Sequence, residues 1–473
     1  METRININYT ESNNVNIFGT FSLSFQGYDG QLRTVKLKFD PKSLWEFSQE
    51  TSSVAFDFLI LSLIVYNVDR AINRLQYSVD GWRRDLKLVN VPVSNLRAMD
   101  QGRNAIIRAI NFLTGDNWDI NFTQAQPYHY LPTRNIQRYE INEYEKVMLF
   151  SGGMDSLIGF IDEASTLQNE KKILLISHME LGKERSDQKS ILNYCQENHI
   201  FTNKYRQLLL NAGLKPNSWN IPKTSGESTF RARSLLFFAS GIYAAHHISS
   251  NTTLIVPENG TISINLPLDS GRRSACSTRT THPTFIKRLE EALHLIGIDN
   301  TFYNPYQLKS KADMMLQCDE DIVKSPIIRQ LYSLSCSCAK RNHNSYWDKS
   351  SQNIQNDSIN HCGMCLPCLY RRVTLNALGL DTEDKLGTDV MHGVKYNIHN
   401  RSQKSTRDFL ALLYFLKNRM SEHTIRLELI MNGIHSKQEL DEYTTLVIHS
   451  YEQVKEWIQE KGTDEIKQLA GIV

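Results

Sequence analysis

The sequence predicts an α/β protein built on a doubly wound parallel-sheet core, with a zinc-binding segment, an α+β extension before the core and a helical extension after it. Three observations carry that expectation. Short apolar runs at Val147–Phe150, Ile173–Ile176 and Leu254–Val256 are separated by helical stretches such as Ser234–His247, the alternation expected of strands covered by helices on both faces. Of the eight cysteines, Cys336, Cys338, Cys362, Cys365 and Cys368 fall in one short stretch of the 473-residue chain. At roughly 150 residues per domain, that length allows about three units.

Composition narrows the function classes. Lys and Arg number 53 against 51 Asp and Glu, so no global basic field points to nucleic acid and no acidic excess points to disorder. The longest apolar run near the front, Phe58–Val65, contains Ser62 and is followed by Asp69 and Arg70. It falls well short of the roughly 18 residues of a membrane helix. The first residues lack the apolar core of a signal peptide. A soluble cytoplasmic protein with no membrane partner is therefore expected.

Residues 1–140 form the first expected unit, an α+β docking or accessory domain. Phe21, Leu23 and Phe25 alternate with Ser22 and Ser24, Gly27-Tyr28-Asp29-Gly30 makes a turn, and Val35, Leu37 and Phe39 alternate with lysines. Period two on both sides of a turn predicts an antiparallel hairpin. A strongly apolar helix is expected from Ser53 to about Leu75, and a second ends near Gly115. Pro127 to Pro132 reads as irregular or edge structure, and the polar stretch Thr133–Glu145 as a linker.

Residues 146–380 form the second unit, and chemistry begins there. Ser151-Gly152-Gly153-Met154-Asp155-Ser156 lies between a buried strand and a helix start. Two glycines allow a tight turn that exposes backbone N–H groups, and the helix N-terminus adds partial positive charge, which together make an anion cradle. Ser151 and Ser156 offer hydroxyls to phosphate oxygens. Asp155 either caps the helix or helps hold Mg²⁺. The Walker A lysine is missing, which argues against cleavage between β and γ phosphates.

Cys362-Gly363-Met364-Cys365-Leu366-Pro367-Cys368 repeats a two-residue gap. This spacing turns successive sulfurs toward a common point, and Cys336 or Cys338 completes a Cys₄ site within segment 336–368. Structural zinc is the expectation, with an iron–sulfur cluster or a redox Cys-x-x-C as alternatives. Cys195, Cys276 and Cys318 read as small core residues, and Arg341 to Asn360 as a polar loop. Residues 395–473 form the third unit, a helical extension in which Ser436 and Glu439 suggest a capping box. Leu440, Leu446, Val447, Val454, Trp457 and Ile458 supply its buried face.

The Ser151–Ser156 motif resembles the PP-loop of the ATP pyrophosphatase superfamily, with its HUP-like core, whose members cleave ATP between the α and β phosphates. Together with the later Cys-Gly-x-Cys-x-x-Cys it resembles the QueC-like 7-cyano-7-deazaguanine synthase family over about Lys146 to Leu378, half the chain. Several segments look closest to the QatC branch found in Qat anti-phage defence systems. They are Ser177-His178, Arg231-Ala232-Arg233-Ser234, Pro257-Glu258-Asn259-Gly260, Arg279-Thr280-Thr281-His282-Pro283, Asn304-Pro305-Tyr306 and Ser310-Lys311. Stand-alone biosynthetic members usually carry an Asp-Tyr-Gly-Gln-like segment after the second strand and a later Gly-Arg-Asn segment. Here those places read Ser-His-Met-Glu and Arg-Ala-Arg-Ser.

The resemblance implies an ATP- and Mg²⁺-dependent ligase that adenylates a 7-carboxy-7-deazaguanine-like carboxylate and passes it to an amine. The amine is ammonia or the N-terminus of a partner protein from the same defence operon. On this reading Ser151, Gly152, Gly153, Met154, Asp155, Ser156, His178 and Arg231 bind ATP. Asp155, Ser156, Arg233 and Lys311 serve catalysis, while Glu258, Asn259, Arg279, Thr280, Thr281 and His282 hold the substrate. The family setting Leu331-Tyr-Ser-Leu-Ser-Cys favours Cys336 as the zinc ligand beside Cys362, Cys365 and Cys368. Blander roles stay open at single positions: surface or ion-paired arginines, structural histidines at 178 and 282, and loop capping by Glu258 and Asn259. Two other functions stay open, tRNA modification by a PP-loop enzyme and a non-catalytic ATP-binding scaffold of a defence complex.

Overall fold

A computed structural model describes the chain except for residues 1, 133–135, 169, 181, 216–226, 228, 270–278, 340–360, 382–383, 394–395, 400–405 and 473. Thr133 to Asn135 of the expected linker, Cys276 and the polar loop Arg341 to Asn360 lie outside the described residues. Among the described residues, ten strands form one sheet. They are β1 (Glu2–Thr10), β2 (Thr20–Gln26), β3 (Leu32–Asp40), β4 (Asp85–Val93), β5 (Asn117–Gln124), β6 (Tyr144–Leu149), β7 (Lys172–Met179), β8 (Tyr205–Leu214), β9 (Leu254–Ile255) and β10 (Phe302–Tyr303). Their spatial order is β10-β9-β6-β7-β8-β3-β2-β1-β4-β5.

The sheet is mostly parallel rather than wholly so. Strands β6 to β10 pair parallel among themselves, whereas β2 and β3 form the expected antiparallel hairpin. β3 then pairs antiparallel with β8, from Leu37 opposite Leu214 to Asp40 opposite Asn211. This joint makes the N-terminal strands a continuation of the later sheet.

Period two of the strands sends alternate residues to opposite faces. Val147, Leu149, Leu174 and Ile176 enter one core with the helices Arg233–Ile248 and Pro283–Leu295. Met148, Phe150, Ile173 and Leu175 enter another with Met154–Thr166 and Lys311–Glu320. The expected helix near Ser53 runs Val54–Ala71, and the Ser53 hydroxyl accepts from the Phe56 amide at 3.1 Å. It stops before Leu75 because Asn73 starts a separate turn, accepting from Leu75 N–H at 2.9 Å. The next helix, Leu96–Thr114, closes at Gly115 in the left-handed conformation, φ +74°. Gly102 lets it approach the Pro283–Leu295 helix, since a Cβ there would meet the Ile296 side chain at 2.3 Å.

The C-terminal helices Arg407–Asn418, Glu422–Met431, Lys437–Lys461 and Asp464–Ala470 enclose a third core around Phe409, Val447, Tyr451 and Trp457, which also takes in Cys362, Cys365 and Cys368. The capping box is corrected here. The helix starts at Lys437, but Ser436 makes no side-chain cap, and Glu439 instead accepts from Lys287 Nζ at 2.5 Å. No described helix is long and apolar enough to cross a membrane.

A buried ionic network ties the N-terminal elements to the helix Arg233–Ile248. Arg84 Nη2 lies 2.5 Å from Asp69 and 2.6 Å from Asp116, and all three side chains are fully enclosed. Arg74 reaches the same carboxylates at 3.1 and 2.5 Å. Asp69 also accepts from the Ala232 amide at 3.1 Å, at the start of the Arg233–Ile248 helix. Removing one partner of such a pair leaves uncompensated buried charge. Arg84→Met is expected to lower unfolding free energy by about 3–5 kcal/mol, measured by denaturant titration; an unchanged midpoint would show the network to be dispensable.

Candidate functional site

After β6 the chain turns sharply while staying paired, with Phe150 N–H donating to the Ile176 carbonyl at 2.7 Å. Gly152 adopts φ +81°, where a Cβ would press on the Gln188 amide at 3.0 Å. Gly153 then caps the helix Met154–Thr166 without a side chain, so the helix N-terminus stays clear of bulk. The Ser151 hydroxyl accepts from Gly153 N–H at 3.3 Å and sits 3.2 Å from the Ser156 hydroxyl, which donates to the Gly153 carbonyl at 3.0 Å. Two hydroxyls and a positively polarised helix end thus converge at one turn.

Behind this turn lies a buried carboxyl pair. Asp155 ion-pairs with Lys311 and accepts from Asn259 Nδ2 at 2.8 Å. Lys311 is held in place by Ser310 and Asp313, which form a capping box at the head of its helix. Burial pushes the Asp155 carboxyl up, but Lys311 and a hydrogen bond from Glu258 outweigh it, so the group stays below the ordinary carboxylate range. Glu258 moves the opposite way: burial first, and then the Asp155 charge, drive it well above its usual value. The opposite shifts make Glu258 the more readily protonated of the two. Asp155 was expected to cap the helix or hold Mg²⁺. It is not the cap, because Gly153 holds that position, and its oxygens face Lys311 and Asn259.

The loop and Glu258 open onto a cavity of about 630 Å³. Leu149, Glu180 and Val256 line it at the carboxyl ends of β6, β7 and β9, where open parallel sheets place their ligand crevices. Phe230, Phe237 and Phe238 give it an aromatic wall. Arg233 lines it as well, 2.6 Å from Glu184.

Of the residues singled out from the sequence, Ser151, Ser156, Arg233, Glu258, Thr280, Thr281 and Cys336 line the cavity. Gly152, Gly153 and Met154 supply the loop backbone, and Asp155, Asn259 and Lys311 stand directly behind it. Four others are placed elsewhere. His178 is buried, with Nε2 3.0 Å from the Ala212 carbonyl and its ring edge-on to Tyr66; burial, then Arg233, lower its pKa to about 4 and keep it neutral. Arg231 is buried beside the N-terminal ionic network and donates to the Thr114 carbonyl at 3.0 Å. Arg279 donates to the Phe112 carbonyl at 3.1 Å and covers the Phe112 ring at 4.4 Å. His282 caps the Pro283–Leu295 helix, accepting from Thr284 N–H at 3.2 Å, and burial lowers its pKa to about 3. Sequence reasoning gave no role to Glu180, Glu184 or the aromatic wall, because single acidic residues and phenylalanines carry no motif of their own.

The sulfurs of Cys338, Cys362, Cys365 and Cys368 lie within 4.8 Å of one another, with Cys362 and Cys368 3.8 Å apart and Cys365 and Cys368 3.4 Å apart. Four thiolates about 2.3 Å from a tetrahedral ion stand about 3.8 Å apart, so the donor set fits a metal ion such as zinc. Gly363, at φ +77°, is required, since a Cβ would lie 1.9 Å from the Thr388 carbonyl. The fourth ligand is corrected from Cys336 to Cys338. Cys336 is drawn to the loop, its N–H donating to the Gly152 carbonyl at 3.0 Å, while Cys338 Sγ accepts from Cys362 N–H at 3.3 Å.

No family model, curated protein or solved structure matches the chain. The metal assignment is checked by elemental analysis: Cys338→Ser is expected to lose about one equivalent of metal per chain, whereas Cys336→Ser retains it.

Proposed function

We propose that this chain is an ATP-dependent, AMP-forming ligase of the 7-cyano-7-deazaguanine synthase type, acting in bacterial anti-phage defence. The observation that carries the reading is the glycine loop, without a Walker lysine, opening onto a cavity with an aromatic wall and backed by Asp155 and Lys311 beside Glu258. The volume of about 630 Å³ lies in the range of small-molecule sites.

In this reading the loop amides and the Ser151 and Ser156 hydroxyls hold phosphate oxygens, and Arg233 adds a cation released from Glu184. A carboxylate oxygen of a 7-carboxy-7-deazaguanine-like substrate attacks the α-phosphorus, and pyrophosphate leaves. The heterocycle stacks against Phe237 and Phe238. An amine then attacks the acyl carbon, the carbon–oxygen bond to AMP breaks, and the amine proton passes to a cavity base. Excluding water protects the mixed anhydride. The amine is ammonia or the N-terminus of a partner protein from the same operon. Zinc at the four cysteines serves structure, and Mg²⁺ accompanies ATP, with no residue assigned to it. The site is a small-molecule one in a soluble, cytoplasmic setting.

Purified protein is incubated with Mg-ATP, 7-carboxy-7-deazaguanine and either ammonium or the operon neighbours, and AMP is followed chromatographically. AMP that depends on the deazapurine is expected, falling about 10²–10³-fold in Arg233→Ala, which removes a cation aimed at developing phosphate charge. ATP binding with no AMP under any condition would replace the ligase with a scaffold.

A further inference from the structure

The segment Ser335–Cys338 is fastened at four consecutive residues. Ser335 Oγ accepts from Arg371 Nη1 at 3.0 Å. Cys336 N–H donates to the Gly152 carbonyl at 3.0 Å. The Ser337 hydroxyl accepts from Met154 N–H at 3.3 Å, and Ser337 N–H donates to His361 Nε2 at 3.3 Å. Cys338 belongs to the four-cysteine group. Two of these tethers end on the glycine loop, at Gly152 and Met154, and the others end on the segment that carries the remaining cysteines.

That far side is itself rigid. The carbonyls of His361 and Cys362 accept from Gly387 and Thr388 at 2.8 and 3.1 Å. Arg371, on the helix that carries Cys368, also bonds Asp384 at 2.9 and 3.1 Å. Cys338 is the one cysteine of the group on the strap side, separated from Cys362 by 24 positions. A bound ion therefore joins strap to scaffold, and the strap in turn grips the loop.

We propose that Ser335–Cys338 is a metal-fastened strap that sets the glycine loop, with Cys336 and Ser337 as its positioning residues, so that the thiol site controls nucleotide binding. The inference rests on the reading that this loop holds nucleotide phosphates. The hydrogen bonds to Gly152 and Met154 are individually weak against solvent, and they persist because the strap is pinned at both ends. With the ion gone, Cys338 is held to the scaffold by hydrogen bonding alone, and the loop loses its two tethers while the sheet beneath it stays packed. Metal release would then silence the site without unfolding the protein.

The full-length, zinc-loaded chain tests this with Mg-ATP as the probe, by calorimetric binding, and with hydrogen exchange of the 150–160 region and of β7 and β8. Chelation, or Cys338→Ser, is expected to weaken ATP binding at least about tenfold and speed exchange in the loop while β7 and β8 remain protected. Ser337→Ala keeps its metal and is expected to weaken binding about threefold to tenfold, the loss of one hydrogen bond, with Ser337→Thr restoring it. Metal-free chain with unchanged loop exchange overturns the strap, as does a Ser337→Ala variant that binds as the wild type does. If the loaded wild type binds no ATP, the functional reading fails instead, and metal-dependent loop exchange still decides the strap.

Discussion

Burial of the central strands on both faces is the constraint on which the rest depends. Since Val147 and Leu149 point into one core and Met148 and Phe150 into the other, helices must cover both sides, and the strands are open to ligands only at their ends. Polar and flexible residues collect where the chain leaves β6, β7 and β9. The cavity, the glycine turn and Glu258 all lie at that end, so the site's position follows from the two-sided core before any chemistry is considered.

The same enclosure decides which buried charges are framework and which are reactive. In the N-terminal network, two guanidiniums face two carboxylates at 2.5 to 3.1 Å, and charge closes without a proton to spare. Beside the glycine turn, Asp155 and Glu258 share one ammonium, Lys311. One cation between two carboxyls leaves Glu258 the harder of the two to ionise, and its pKa is raised while that of Asp155 is lowered.

Local signals were legible in the sequence, and long-range ones were not. The glycine turn, the strand runs, the N-terminal hairpin, the apolar helix after Ser53 and the cysteine cluster all rest on residues a few positions apart, where spacing dictates geometry. The pairing of Leu37 with Leu214 has no such signal, so the continuity of the sheet could not be read. Four candidates were drawn elsewhere by partners remote in sequence: His178 by Tyr66, Arg231 by Thr114, and Arg279 and His282 by Phe112. An arginine or histidine near a strand end looks the same in sequence whether it faces a ligand or a carbonyl. Cys336 and Cys338 were equivalent by spacing, and only the fold separates them, by grouping the Cys338 sulfur with the other three and tying the Cys336 amide to Gly152.

That separation explains why the fourth ligand comes from so far upstream. Loop-closure entropy grows only slowly with length, so drawing Cys338 from 24 positions before Cys362 costs little more than drawing it from nearby. A nearby cysteine would have closed the metal site upon itself. A distant one ties the cysteine turn to a segment that already touches Gly152 and Met154, and so joins the four-cysteine group packed in the core of the C-terminal helices to the turn at the end of β6.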